Sequence, residues 1–350
     1  MTFMQSQPKD HSFIKNTRFF HLRLERVFSH AFCDKSLRDQ EVTVVKYVDQ
    51  LVIKLQEHTM EPLDMSIRLN PFTAPIYQWI QIIYDWVAGA ALLGMAQKLW
   101  PLTDIVKWFV PKDMRDAEVS HRIMTQERLE KRLGSPNASY VDLISNIEPF
   151  LSNGKLSSAE LLESCRVMLV GGAETMATVV SGMLFYLLSN PSALSTLKSE
   201  IRLEFKTTDE INANAVQKIT YLSAVIKESL RMFPPLPGNL RRITPPEGCV
   251  IGGQSSLETS APTEFRPERW LSKVTEEFQT DDRQAMQPFS IGPRNCIAKN
   301  FALMEMQIIL AKLVFKFDLE LAEESRSWLK EVKVFGFVQK PKLMVKLAAV

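Results

Sequence analysis

Residues 289–298 read Phe289-Ser-Ile-Gly292-Pro-Arg294-Asn-Cys296-Ile-Ala298, and this stretch decides the fold. It follows a segment rich in Pro, Gly, Ser and Thr (236–288), where only loop and small sheet are expected. It precedes an apolar run that predicts a helix over about 297–317. A cysteine placed there meets unpaired N–H groups and the positive end of a helix dipole, which favour thiolate over thiol. Gly292 permits a tight turn, and Arg294 adds a positive charge able to pair with an anionic ligand. An isolated Cys296 would read as a buried structural cysteine; the Phe, Gly and Arg at fixed offsets argue against that.

Two constellations lie upstream. Glu228 and Arg231, in Glu228-Ser-Leu-Arg231, sit near the end of a helix predicted over about 221–233 that Pro234-Pro235 stops. Residues three apart on a helix can pair, and on a solvated face such a pair contributes only roughly a few tenths of a kcal/mol. Gly171-Gly172-Ala-Glu174-Thr175 interrupts the longest apolar helix. That helix is opened by the capping box Ser157-Ser-Ala-Glu160 and runs to about Ser189. Glycine in a helix interior costs about 1 kcal/mol, and an acid inside such a run needs a partner. The residues leave two accounts open: close helix packing with Thr175 bonded to a carbonyl one turn back, or a functional groove.

Together these residues resemble a cytochrome P450, whose haem loop has the pattern F-x-x-G-x-R-x-C-x-[GA]. Phe289, Gly292, Arg294, Cys296 and Ala298 match every fixed position. The resemblance implies a mainly α fold with a small β region, one domain over 1–350, and haem as cofactor. Cys296 is then the axial thiolate ligand of the haem iron, with Phe289, Gly292 and Arg294 completing the loop; thiolate ligation favours O–O cleavage. In that family E-x-x-R is answered by an arginine in F-x-P-E-R-[FW], and Phe265-Arg-Pro267-Glu268-Arg269-Trp270 follows here in order. Glu228, Arg231 and Arg269 are thus implied to form a buried structural triad, both guanidinium forks sharing one carboxylate. The distal-helix pattern [AG]-G-x-[DE]-T falls on 171–175. It implies that the glycines open a groove for O2 while Glu174 and Thr175 supply acid catalysis, directly or through water.

Weaker matches concern the haem propionates. Arg242, in Pro237-Gly-Asn-Leu-Arg-Arg242-Ile, and His21, in His21-Leu-Arg23-Leu-Glu25-Arg26, align with residues that contact them. Where the family has arginine four residues after the histidine, this chain has Glu25. An acid there would repel a propionate, so either Arg26 substitutes or the contact is lost.

Composition agrees with a globular chain: 350 residues, 45% hydrophobic and 23% charged, which excludes disorder and collagen-like repeats. The net charge of +2 predicts no field for capturing nucleic acid. The four cysteines Cys33, Cys165, Cys249 and Cys296 stand singly, with no C-x-x-C pair, which favours a reduced, cytosol-facing setting. The N-terminal residues show no apolar anchor. Trp79 to Gln97, carrying only Asp85, predicts a buried or membrane-touching amphipathic helix, so peripheral membrane contact is an alternative to the endoplasmic-reticulum location, cytosolic face, that the resemblance implies.

Against the family pattern the chain lacks the anchor, the first strands and some β elements, with gaps expected near 65–75 and 254–263. The resemblance is closest to filamentous-fungal members that oxidise terpenoid or polyketide intermediates. It implies a small apolar substrate, O2, and electrons from an NADPH-dependent cytochrome P450 reductase. The alternative is a shortened, catalytically impaired relative that binds haem or lipophilic ligands without turnover.

Overall fold

The computed structural model describes residues 18–58, 61–68, 112–135, 141–237, 261–335 and 337–350. Arg242 and the Trp79 to Gln97 stretch lie outside the described residues.

The molecule is built around α4 (Ser158–Ser189), and the capping box starts it as expected. Ser157 accepts from the Glu160 N–H at 3.2 Å, and the Glu160 carboxylate accepts from the Ser157 N–H at 2.8 Å. From Ala177 to Leu187 the helix is buried on every side, packed by α5 (Pro191–Glu204), α6 (Thr220–Met232) and α7 (Lys299–Lys316). A helix wrapped by others needs no polar stripe, which is why no charged residue occurs from Thr175 to Ser189. Among the described residues it is the one helix long and apolar enough to cross a membrane, yet 56% of its most apolar window is buried within the protein. The α3 helix (Lys112–Leu133) crosses its first half.

Three expectations from periodicity are corrected. Apolar spacing predicts one helix from Phe28 to Glu57, but the chain forms α1 (Arg18–Ser29), a tight turn at His30–Phe32, and α2 (Asp34–Gln56). At the break, Ser36 Oγ donates to the His30 carbonyl (2.7 Å) and the Gln40 amide to that of Ala31 (2.8 Å), so side chains satisfy the carbonyls a continuous helix would have used. Asn190-Pro191 predicts an N-cap for the next helix. The helix does begin at Pro191 with Asn190 in the N-cap place, but the Asn190 side chain makes no cap bond to it; its amide donates back to the Tyr186 carbonyl (2.7 Å) and closes α4.

The third correction concerns the C-terminus, where Val332 to Leu347 predicts a single hairpin. The hairpin is only β3 (Lys333–Phe335) with β4 (Phe337–Gln339). β5 (Met344–Ala349) leaves it and pairs antiparallel with β2 (Phe317–Leu321) and β1 (Leu63–Asp64), in the order β1-β5-β2. Burial of Val345 and Leu347 against the main core is what draws the last strand away. Segment 261–288 contains short 3-10 turns and no strand.

Candidate active site

The cysteine loop is fixed by its own backbone. The Cys296 N–H donates to the Phe289 carbonyl at 2.8 Å and that of Asn295 to Gly292 at 3.1 Å, closing a compact turn. Gly292 has φ +80, and a Cβ there would meet nothing within 4 Å, so the conformation rather than space demands glycine. Ser290 also takes a positive φ, 60. Phe289 packs on the main core, and Ile297 packs on a second cluster made by Leu24 and Phe28 of α1 and Leu161 of α4. The loop is thus clamped on both sides of the cysteine while the thiol itself is free and exposed.

The ring of His21 is buried against this loop, with Nε2 at 3.1 Å from the Pro293 carbonyl oxygen. Glu25 Oε2 lies 3.6 Å from the same nitrogen, so the acid that replaces the family's arginine sits beside the histidine. Arg294 is half-buried on the loop. Because α7 begins at Lys299 with Ala298 as its N-cap, Cys296 stands just ahead of the first turn. Surrounding protein pushes the Cys296 thiol up from its ordinary value, partly offset by the Ala298 N–H. The thiolate preference expected from the helix terminus is therefore not supplied by the protein alone.

Glu228, Arg231 and Arg269 come together. Arg231 donates to both carboxylate oxygens of Glu228, at 2.9 and 2.8 Å, and Arg269 Nε reaches Oε1 at 3.2 Å. Glu228 and Arg269 are buried at 0% and 1% exposure. Sequence reasoning missed the rest of the network. The Trp270 indole N–H donates to Glu228 at 2.8 Å and the Arg266 N–H at 2.9 Å. Arg269 also pairs with buried Asp281, and its guanidinium lies 4.6 Å from the Phe278 ring centre. Arg231 in turn ties the Pro262 and Glu264 carbonyls to α6. The cluster pins the segment leading to the cysteine loop onto the helix core.

Residues 171–175 divide around α4. Gly171 and Gly172 are exposed, and a Cβ on either would meet nothing within 4 Å. The Thr175 hydroxyl donates to the Gly171 carbonyl one turn back. Glu174, about 100° further round the helix, is buried and ion-paired with Lys340. The structure does not bring Glu174 and Thr175 onto one face. Lys340 carries no local sequence signal, since only folding places residue 340 beside residue 174.

The donor set fits haem. Among the described residues no group of three His, Cys, Asp or Glu side chains could hold a bare metal ion. A single accessible thiol on a rigid loop suits an iron that arrives with four nitrogen ligands of its own, and a helix face bare of side chains at Gly171-Gly172 suits a large flat group.

Comparison with known proteins gives the same answer. The sequence matches the family model described as cytochrome P450 over residues 74–256 and 260–347. It is 33% identical over 368 aligned positions to the cytochrome P450 monooxygenase efuB of Hormonema carpetanum, covering 93% of this chain and 72% of that protein. It is 32% identical to astA of Talaromyces wortmannii over 383 positions (99% and 77% covered), and 32% identical to cpaH of Aspergillus oryzae over 378 (97% and 73%). These alignments run longer than the 350 residues of the chain, so the relatives carry residues absent here within the matched region. The family works with O2 and a redox partner. The chain belongs to the cytochrome P450 family, with haem as its cofactor and monooxygenation as its activity.

Proposed function

We propose that the chain inserts one oxygen atom into a small apolar secondary metabolite of the terpenoid or polyketide kind, drawing electrons from an NADPH-dependent cytochrome P450 reductase. When bound, haem supplies the oxygen chemistry, and Cys296 is the residue that would hold its iron. The carrying observation is the exposed Cys296 thiol on a loop that Gly292, Phe289 and Ile297 hold rigid. Glu228, Arg231 and Arg269 keep the preceding segment in place, and His21 braces the loop from α1 through Pro293. Arg242, outside the described residues, and His21 are the residues assigned to the propionates, and Arg294 adds a positive charge on the loop for an anionic ligand. Thr175 is the residue that would hold and move protons at the face of α4 that carries Gly171 and Gly172, with Glu174, paired with Lys340 on the hairpin side, as the acid that supplies them. An apolar substrate needs no charged field, in keeping with the net charge of +2. The location that goes with this reading is the cytosolic face of the endoplasmic reticulum.

The test is spectroscopic. Protein prepared with added haem, reduced under carbon monoxide, should show the red-shifted Soret band of thiolate ligation, and Cys296→Ala should lose it. A band unchanged in Cys296→Ala, or no haem uptake at all, would sink the assignment. Thr175→Ala should raise hydrogen peroxide release relative to product; unchanged coupling would remove Thr175 from the proton path. Substrate class is read by comparing metabolites of the source organism with and without the gene.

A further inference from the structure

Glu174 and Lys340 form a buried ion pair between the middle of α4 and the residue just after β4; their side chains are 1% and 5% exposed. Thr178, one turn along α4, completes a three-cornered arrangement: its hydroxyl accepts from Lys340 Nζ at 2.9 Å and lies 3.3 Å from Glu174 Oε1 as donor. The terminal hairpin also touches α4 one turn before this contact, where Phe337 of β4 packs against Val170. A charge at this depth is costly unless it is paired, and the Lys340 ammonium supplies Glu174 with an opposite charge in direct contact. Burial correspondingly lowers the pKa of Lys340, opposed by the nearby Glu174 charge.

Several other charged groups on elements packed against α4 have partners of their own. At the α3 crossing His121 bonds the Arg166 carbonyl and Arg166 pairs with Glu163. Glu228 and Arg231 of α6 hold each other. Lys198 and Arg202 of α5 pair with Asp318 of β2, Glu320 of β2 with Lys346 of β5, and Lys312 of α7 with Asp49. Glu305 of α7 has its carboxyl pushed up to about 7 by burial.

We propose that Lys340 is a positioning residue for Glu174, holding its carboxylate on the hairpin side of α4 so that the acid reaches the Thr175 side only when the pair opens. This rests on the reading of 171–175 given under the proposed function. It makes the C-terminal hairpin the element that sets when the acid is available.

Two readouts test it in the 350-residue chain. Infrared difference spectroscopy across a pH titration requires no haem: at neutral pH the native protein should show no protonated-carboxyl stretch from Glu174. Lys340→Met should gain one that the added change Glu174→Gln removes, and Lys340→Arg should not. In the haem-loaded protein supplied with reductase and NADPH, the ratio of hydrogen peroxide released to NADPH consumed should change with pH. Its midpoint should move up by about one unit or more in Lys340→Met and stay in place in Lys340→Arg. No carboxyl band in Lys340→Met, or a band with an unmoved midpoint, would overturn the proposal. Should Lys340→Met fail to fold, Lys340→Gln is read on the same two criteria. If Cys296 proves not to bind haem, the functional reading falls while the infrared result still stands or falls on the Glu174–Lys340 pair.

Discussion

Gly182 and Phe233 meet where α4 passes the end of α6, so closely that a Cβ on Gly182 would lie 2.5 Å from Phe233 Cδ1 and 2.9 Å from Cγ. The ring has no room to yield, because Trp328 packs against it at 5.3 Å between ring centres and Phe233 is itself buried. Phe233 is also the C-cap of α6, two positions after Arg231. A contact between two helices therefore bears directly on the position of the charge cluster.

Gly182→Ala should destabilise the protein. Alanine gains about 1 kcal/mol of helix propensity over glycine, but overpacking a filled core costs about 1–3 kcal/mol and here requires moving an aromatic ring held by a tryptophan. The urea midpoint should fall. Pairing Gly182→Ala with Phe233→Leu, which frees space at the contact, should recover part of the loss beyond what the two single changes predict.

Glu228→Ala should be the most damaging change in the site. The carboxylate accepts from Arg231, Arg269, the Trp270 indole and the Arg266 backbone, and Arg269 is 1% exposed. Breaking a buried charge pair from one side costs about 3–5 kcal/mol, because the remaining charge has no water to turn to. Arg269 keeps Asp281, so the segment around 269–281 should stay attached while the 262–266 stretch loosens from α6. The expected readings are a lower unfolding midpoint, changed tryptophan fluorescence and reduced haem content.

Acid should weaken the α3–α4 crossing through His121. Burial, with a smaller contribution from the Arg166 charge, lowers its pKa from 6.5 to about 4. Above pH 6.5 the imidazole is neutral in folded and unfolded chains alike. As pH falls below 6.5 the unfolded chain takes up a proton that the folded chain refuses, so this residue's contribution to stability declines until about pH 4. The full loss is about 3 kcal/mol. Urea midpoints at pH 7 and pH 5 should differ more in the native protein than in His121→Phe; equal differences would assign the acid sensitivity elsewhere.

Much of the fold was legible because it is local. The capping box at Ser157 and Glu160 starts α4 where residue spacing places it, and the proline pair after Phe233 ends α6 within a residue. The breaks that periodicity missed depend on side chains reaching across turns: Ser36 and Gln40 take carbonyls at 30 and 31, and no hydrophobic period records that. The C-terminal strand was misassigned because alternation in Met344–Ala349 says that it is a strand without saying which neighbour it pairs with.

The sequence by itself determined the chemistry, because a motif is a short-range object. The cysteine, the glycine at positive φ and the arginine lie within five residues of one another, and Glu228 lies one turn from Arg231. Tertiary structure alone decided the partners. Asp281 and Trp270 joined Glu228 and Arg269, His21 came to rest on Pro293, and Lys340 reached Glu174 across 166 positions of chain. Buried charges must be neutralised by whatever the fold brings near, and that identity is set by packing, which spacing along the chain does not encode.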